Sequence, residues 1–225
     1  MMYVTYYARY NYGDNLVKIF CNAVERSCGQ VEDINIEEIG TDDLLKYIVD
    51  NCACHLRCLR LANCARLSER GFIEAVKKLS QLEEIELSHN LQLSNDSLEV
   101  VGRCCPLLKS LKYSLLPSDY IGQDVCSFAI AKTMPRLLHL KISGDMPGDD
   151  GIQAILDGCH LLESFDLGGC YAYYYSQSLE KRCREQINFF VPPTQDCDSS
   201  DYDSYWDVGS INSNWSWYED CDFDI

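Results

Sequence analysis

The sequence has no run of eighteen or more apolar residues, so it offers no membrane-spanning helix. Its opening stretch, Met1 to Arg9, lacks the basic-then-apolar order of a secretory signal, and the chain is expected in the cytosol, the nucleus or both. Positive charge is scarce. Lys and Arg number 19 against 35 Asp and Glu, the formal net charge is −16, and no Lys or Arg follows Arg184. Such a surface repels polyanions, which argues against nucleic acid or an anionic membrane as partner. Catalytic signatures are missing as well. With no nucleophile elbow, phosphate-binding loop or metal-ligand pair, neither an enzymatic activity nor a cofactor is expected. Asp149-Asp150-Gly151, after Gly144-Asp145, is too short for a calcium loop and reads as a turn and helix start.

What the sequence does have is self-similarity. In a chain of 225 residues, 47% of them hydrophobic, the pattern apolar-x-x-apolar-x-apolar occurs six times. It reads Val31-Ile34-Ile36, Leu56-Leu59-Leu61, Leu82-Ile85-Leu87, Leu108-Leu111-Tyr113, Leu137-Leu140-Ile142 and Leu162-Phe165-Leu167, with starts 25, 26, 26, 29 and 25 residues apart. That period is the leucine-rich-repeat range, with an insertion around Leu115 to Ile121 in the longest unit. Each unit reads as a strand whose outer residues point inward, then a capped amphipathic helix. Thr41, Ser68 and Ser94 stand where a side-chain oxygen can cap a helix whose apolar residues recur on one face. One such unit cannot bury its apolar face alone. Stacked units can, which predicts an α/β leucine-rich-repeat solenoid, a curved horseshoe with parallel strands concave and helices convex.

The expected limits are an irregular segment over residues 1–14, the repeats over 15–190 and an acidic tail over 191–225. Asn15 to Gln30 fits the helix of an incomplete first unit, and Gln177 to Phe190 a closing helix. In the tail, Asp196 to Asp224 supplies many acids with no base, so disorder is expected there. Interspersed Tyr202, Trp206, Trp215, Trp217 and Phe223 leave two readings, an interaction motif or a solvating appendage.

The 14 cysteines fall largely at repeat positions. Cys64 and Cys170 occupy the Asn/Cys slot after a strand, while Cys52, Cys104 and Cys159 close helices, as small buried hydrophobes do. The competing reading is zinc at Cys52-Ala53-Cys54-His55-Leu56-Arg57-Cys58, but the paired spacing of structural zinc sites is absent. Cys58 is expected at the surface, where it would be open to reaction.

The segments Thr41-Asp42-Asp43-Leu44-Leu45, Glu74 to Leu79, Ser97 to Leu111 and Ala154 to Cys159 resemble plant F-box/LRR-repeat proteins. The resemblance covers about Asn15 to Ile187. It implies a protein-interaction scaffold, the part of an SCF-type ubiquitin ligase that holds a substrate for degradation. In that family an N-terminal F-box docks on the SCF adaptor subunit. Tyr3 to Tyr10 resembles no part of an F-box, so the repeat half is expected here without the adaptor-binding half. Two functions follow from that, a substrate-recognition module and a stand-alone binding protein or decoy.

The strand alternation places Asp33, Asn35, Glu37, Arg60, Glu84, Glu86, Ser110, Lys112, His139, Lys141 and Asp166 on the concave face as candidate contacts to a protein partner. Cys58, Ala62, Ser88, Ser114, Ser143 and Ser164 share that face. An acidic first part and a more basic middle are expected to be separated along it, suiting a partner of complementary charge. Equally, these charges can simply pair with one another.

Overall fold

A computed structural model describes residues 2–4, 13–114, 124–172 and 176–194. All lie in the unit Met1–Gln195; the second unit, Asp196–Ile225, which makes up most of the tail expected over 191–225, is outside the described residues, as is the insertion expected around Leu115 to Ile121.

The described chain alternates strand and helix: β1 (Met2–Val4), α1 (Gly13–Arg26), β2 (Asp33–Glu37), α2 (Asp42–Cys52), β3 (Cys58–Ala62), α3 (Glu69–Val76), β4 (Glu84–Ser88), α4 (Asn95–Cys104), β5 (Ser110–Ser114), α5 (Val125–Thr133), β6 (His139–Asp145), α6 (Asp149–Gly158), β7 (Ser164–Tyr171), α7 (Gln177–Gln186) and β8 (Phe189–Val191). The strands form one parallel sheet in the order β1 to β8, each paired with its neighbours in sequence. This is the expected leucine-rich-repeat solenoid, built from pairings between sequence neighbours alone. No helix among the described residues is long and apolar enough to cross a membrane.

The six apolar patterns become β2 to β7 and the turns that lead into them. Ile34, Leu59, Ile85, Leu111, Leu140 and Phe165 lie in one register row and are all buried. Each such side chain contributes roughly 1.5–3 kcal/mol by leaving water. Helices supply the other wall of the core through residues such as Leu45, Ile48, Phe72, Leu98, Ile130 and Ile155.

Two limits differ from expectation. Met2–Val4, in the segment expected to be irregular, pairs with β2. At the other end α7 stops at Gln186, and Phe189–Val191 forms an eighth strand instead of the end of a closing helix. Thr194 extends that pairing, its N–H donating to the Cys170 carbonyl at 3.0 Å and its hydroxyl to the Gly168 carbonyl at 2.9 Å.

The caps form as expected. Thr41 Oγ1 accepts from Leu44 N at 3.1 Å, Ser68 Oγ from Gly71 N at 3.0 Å and Ser94 Oγ from Asp96 N at 3.1 Å. A second layer joins the helix starts at Ser68, Ser94 and Gly148 to the previous repeat. Asp42 accepts from the Ser68 amide (2.7 Å) and hydroxyl (2.6 Å). Glu69 accepts from the Ser94 amide (3.0 Å), the Ser94 hydroxyl and the buried Ser97 hydroxyl (3.0 Å). Asp124 accepts from the Gly148 amide at 2.7 Å. Three past the caps at Ser68 and Gly148 the residue must be small, because the carboxylate crosses there: a Cβ on Gly71 would strike Asp42, and one on Gly151 would strike Asp124.

The slot after the strand is a third repeated device. The Cys64 thiol donates to the Ile36 carbonyl (3.7 Å) and the Cys170 thiol to the Ile142 carbonyl (3.2 Å), each in the preceding strand. Asn90 fills the same position and does more. Its Nδ2 donates to the Leu61 carbonyl at 2.8 Å, and its Oδ1 accepts from Cys64 N at 3.0 Å. The residue before the slot turns the chain with positive φ at Glu38, Asn63, His89 and Gly144. Among the helix-end cysteines, Cys52 and Cys159 are buried; Cys104 is half-buried, and its neighbour Cys105 takes the interior place.

Candidate protein-interaction surface

Alternation along each strand turns every second residue away from the helices, and the parallel register gathers those residues into rows across the sheet. The first row runs Asp33, Cys58, Glu84, Ser110, His139, Ser164 and Phe189. The second runs Asn35, Arg60, Glu86, Lys112, Lys141, Asp166 and Val191. In the third, Glu37 stands opposite Ala62 and Ala62 opposite Ser88, while Ser114 stands opposite Ser143. The eleven candidate residues therefore share one surface. Phe189, which is 48% exposed, joins them on the unforeseen eighth strand.

Charges on this surface interlock. Arg60 lies among three carboxylates, at 2.7 Å from Asp33, 3.1 Å from Glu84 and 3.9 Å from Glu86. Lys112 reaches Glu86 at 3.7 Å and Glu84 at 3.9 Å. Lys141 pairs with Asp166 at 2.9 Å, and Asp166 also accepts from Gly168 N at 2.8 Å, which explains how an aspartate stays buried on a sheet face. The expected separation into an acidic first part and a basic middle is thus replaced by pairing across adjacent strands. The reason is geometric: strands about 4.8 Å apart bring the long side chains of neighbouring repeats within reach of each other.

Cys58 also departs from expectation. It is 7% exposed, covered by its long charged neighbours on β2 to β4, and burial followed by the nearby Glu84 charge pushes its thiol well above the usual range. A thiol held neutral in this way is a poor nucleophile. Glu37 is shifted upward too, by burial first and by Glu38 second. His139 is exposed between Ser110 and Ser164, and among the described residues it makes no hydrogen bond to either. Nor do the described residues contain a group of three or more His, Cys, Asp or Glu placed to hold a metal ion.

The chain is 40% identical over 205 residues to the F-box protein SKIP19 of Arabidopsis thaliana, an alignment covering 88% of this chain and 66% of that protein. It is 35% identical over 208 residues to putative F-box/LRR-repeat protein 22 of the same plant, covering 88% of this chain and 67% of the relative. The chain belongs to the plant F-box/LRR-repeat family. No protein-family model matches it. Among solved structures, a chain of the yeast Rad7–Elc1 complex superposes with a TM-score of 0.57 at 18% identity, over 81% of this chain and 44% of that one, a likeness of fold. The F-box/LRR chain described here therefore spans about two thirds of the length of these plant relatives.

Proposed function

We infer that this F-box/LRR chain is the partner-recognition part of an SCF-type ubiquitin ligase, holding a protein for ubiquitin-dependent degradation on the exposed face of its sheet, in the cytoplasm, the nucleus or both. Its support is the identity of 35–40% to F-box proteins across 88% of the chain. The sheet face suits the role because its side chains are already ordered by ion pairs before a partner arrives, so less conformational entropy is lost on binding. Nothing in this role asks the chain itself for bond-making chemistry.

The test is a binding titration of the purified chain against the purified SCF adaptor, with a full F-box/LRR protein as positive control. Binding of comparable strength supports a module that reaches the ligase through its own surface. No binding, with the control intact, turns the reading of this chain to a stand-alone recognition scaffold or decoy.

A further inference from the structure

The chemistry of the partner follows from the way charge is distributed over the sheet face, on the reading that this face holds the partner. Its cations are already engaged: Arg60 with Asp33 and Glu84, Lys112 with Glu84 and Glu86, Lys141 with Asp166. The carboxylates are engaged unequally. Asp33 and Glu84 receive the short bonds from Arg60, whereas Glu86 meets Arg60 and Lys112 only at 3.9 and 3.7 Å, and its hydrogen bond comes from the Ser88 hydroxyl at 3.2 Å. Glu37 pairs with no cation among the described residues.

The register puts Ala62 of β3 directly between Glu37 of β2 and Ser88 of β4. Arg60, two residues earlier on the same face, is drawn toward the row of Asp33 and Glu84, on the side away from Ala62. A methyl group thus stands where a long side chain would close the surface. The two flanking strands lie about 10 Å apart across this opening, since adjacent strands are separated by about 4.8 Å. Ser88 stands directly across from Glu37, and the Glu86 carboxylate, which accepts from the Ser88 hydroxyl, borders the same opening from the adjacent row. A guanidinium or ammonium group over Ala62 therefore lies diagonally between the carboxylates of Glu37 and Glu86. A partly desolvated carboxylate without a counter-charge is unfavourable alone and becomes favourable when a cation is supplied. Glu37 is in that condition, its carboxyl raised by burial and by Glu38.

We propose that a lysine or arginine of the bound protein sits over Ala62, between Glu37 and Glu86, so that the partner presents a basic segment to the β2–β4 part of the face. Charge complementarity of this kind selects among partners and sets their register more than it adds raw affinity.

The probe is a blocked nonapeptide of alternating glycine and arginine, titrated at low salt into the full isotopically labelled chain, with backbone amide shifts read residue by residue. Shifts at Glu37, Ala62, Asn63 and Ser88 are expected, with apparent affinity falling about fivefold in Glu37→Gln, as for loss of one partly exposed ion pair. Shifts confined to the acidic residues after Gln195, with Ala62 unmoved, overturn the proposal. Ala62→Lys supplies the cation from within, and Ala62→Met serves as its uncharged control of similar length. A higher Tm for Ala62→Lys than for Ala62→Met, together with loss of the peptide response at Glu37, is expected; equal Tm values and an undiminished response overturn the proposal as well. The adaptor titration uses no basic probe, so its failure removes the ligase reading and leaves the peptide result standing. Conversely, failure of the peptide shifts removes the cation site and leaves the ligase reading standing.

Discussion

Glu69 and Glu37 both stand at the ends of regular elements, yet they live in opposite surroundings. Glu69, at the start of α3, accepts from the amide and hydroxyl of Ser94 and from the hydroxyl of Ser97, and these bonds, the Ser94 hydroxyl foremost, hold its carboxyl below the usual range. Glu37, at the end of β2, has Ala62 beside it in place of a donor, and burial raises its carboxyl instead. The difference lies in the neighbouring repeat. Where the next unit offers a helix N-terminus, a carboxylate becomes a clamp between repeats. Where it offers a methyl group on an exposed sheet, the carboxylate keeps its capacity for a ligand.

The largest effect comes from removing the core on which both carboxylates stand. Leu59→Asp or Leu111→Asp puts an unpaired charge into the stacked interior, and either variant is expected to be unfolded by circular dichroism at room temperature. Native-like melting of both would refute the repeat register.

A smaller loss is expected from Glu69→Ala, about 2–3 kcal/mol by denaturant titration, because it strands the fully buried Ser97 hydroxyl and the amide of Ser94. The folded carboxyl of Glu69 lies below its unfolded value. Its stabilisation is therefore complete above the unfolded carboxylate range and is lost as pH falls through the folded value. The stability difference between wild type and Glu69→Ala should accordingly shrink in acid. A difference that stays constant with pH would mean that Glu69 acts through packing alone.

The smallest effect sharpens the contrast. Glu37→Gln is expected to change stability by no more than about 0.5 kcal/mol at neutral pH, on the stabilising side. With its folded carboxyl raised, Glu37 opposes folding near neutrality, and that opposition disappears as pH falls through the carboxylate range, the reverse of Glu69. A clear loss of stability in Glu37→Gln would show that this carboxylate is a structural partner after all.

Most of this architecture was legible as periodicity. β2 to β7 follow from the six apolar patterns, and the outward residues of each follow from alternation. The terminal strands escaped for different reasons. Met2–Val4 pairs with a strand 32 residues on, outside the repeat period, as its register with Ile34 shows. Ile187 and Phe190 do keep a spacing of 25 from Leu162 and Phe165, but Pro192 stands where the third apolar residue belongs. Asn90 was readable, since it lies as far from Ile85 as Cys64 does from Leu59. Pairing of the face charges was one of two readings, but the choice of partners was not legible. Whether Arg60 leans toward Asp33 and Glu84 or over Ala62 is decided by rotamers and by strand spacing, neither of which the order of residues states. The same holds for Cys58, whose burial depends on its neighbours' long side chains lying over it.

The strictly sequential order of the sheet has a mechanical consequence. Among the described residues each strand is held by the one before and the one after, so interior strands have two supports and β1 and β8 one. Pulled from its ends, such an array yields at the one-sided units first and shortens inward, a zipper with two open ends. A protein bound across several strands would bridge units that are otherwise joined only pairwise, and would turn that zipper into a splint.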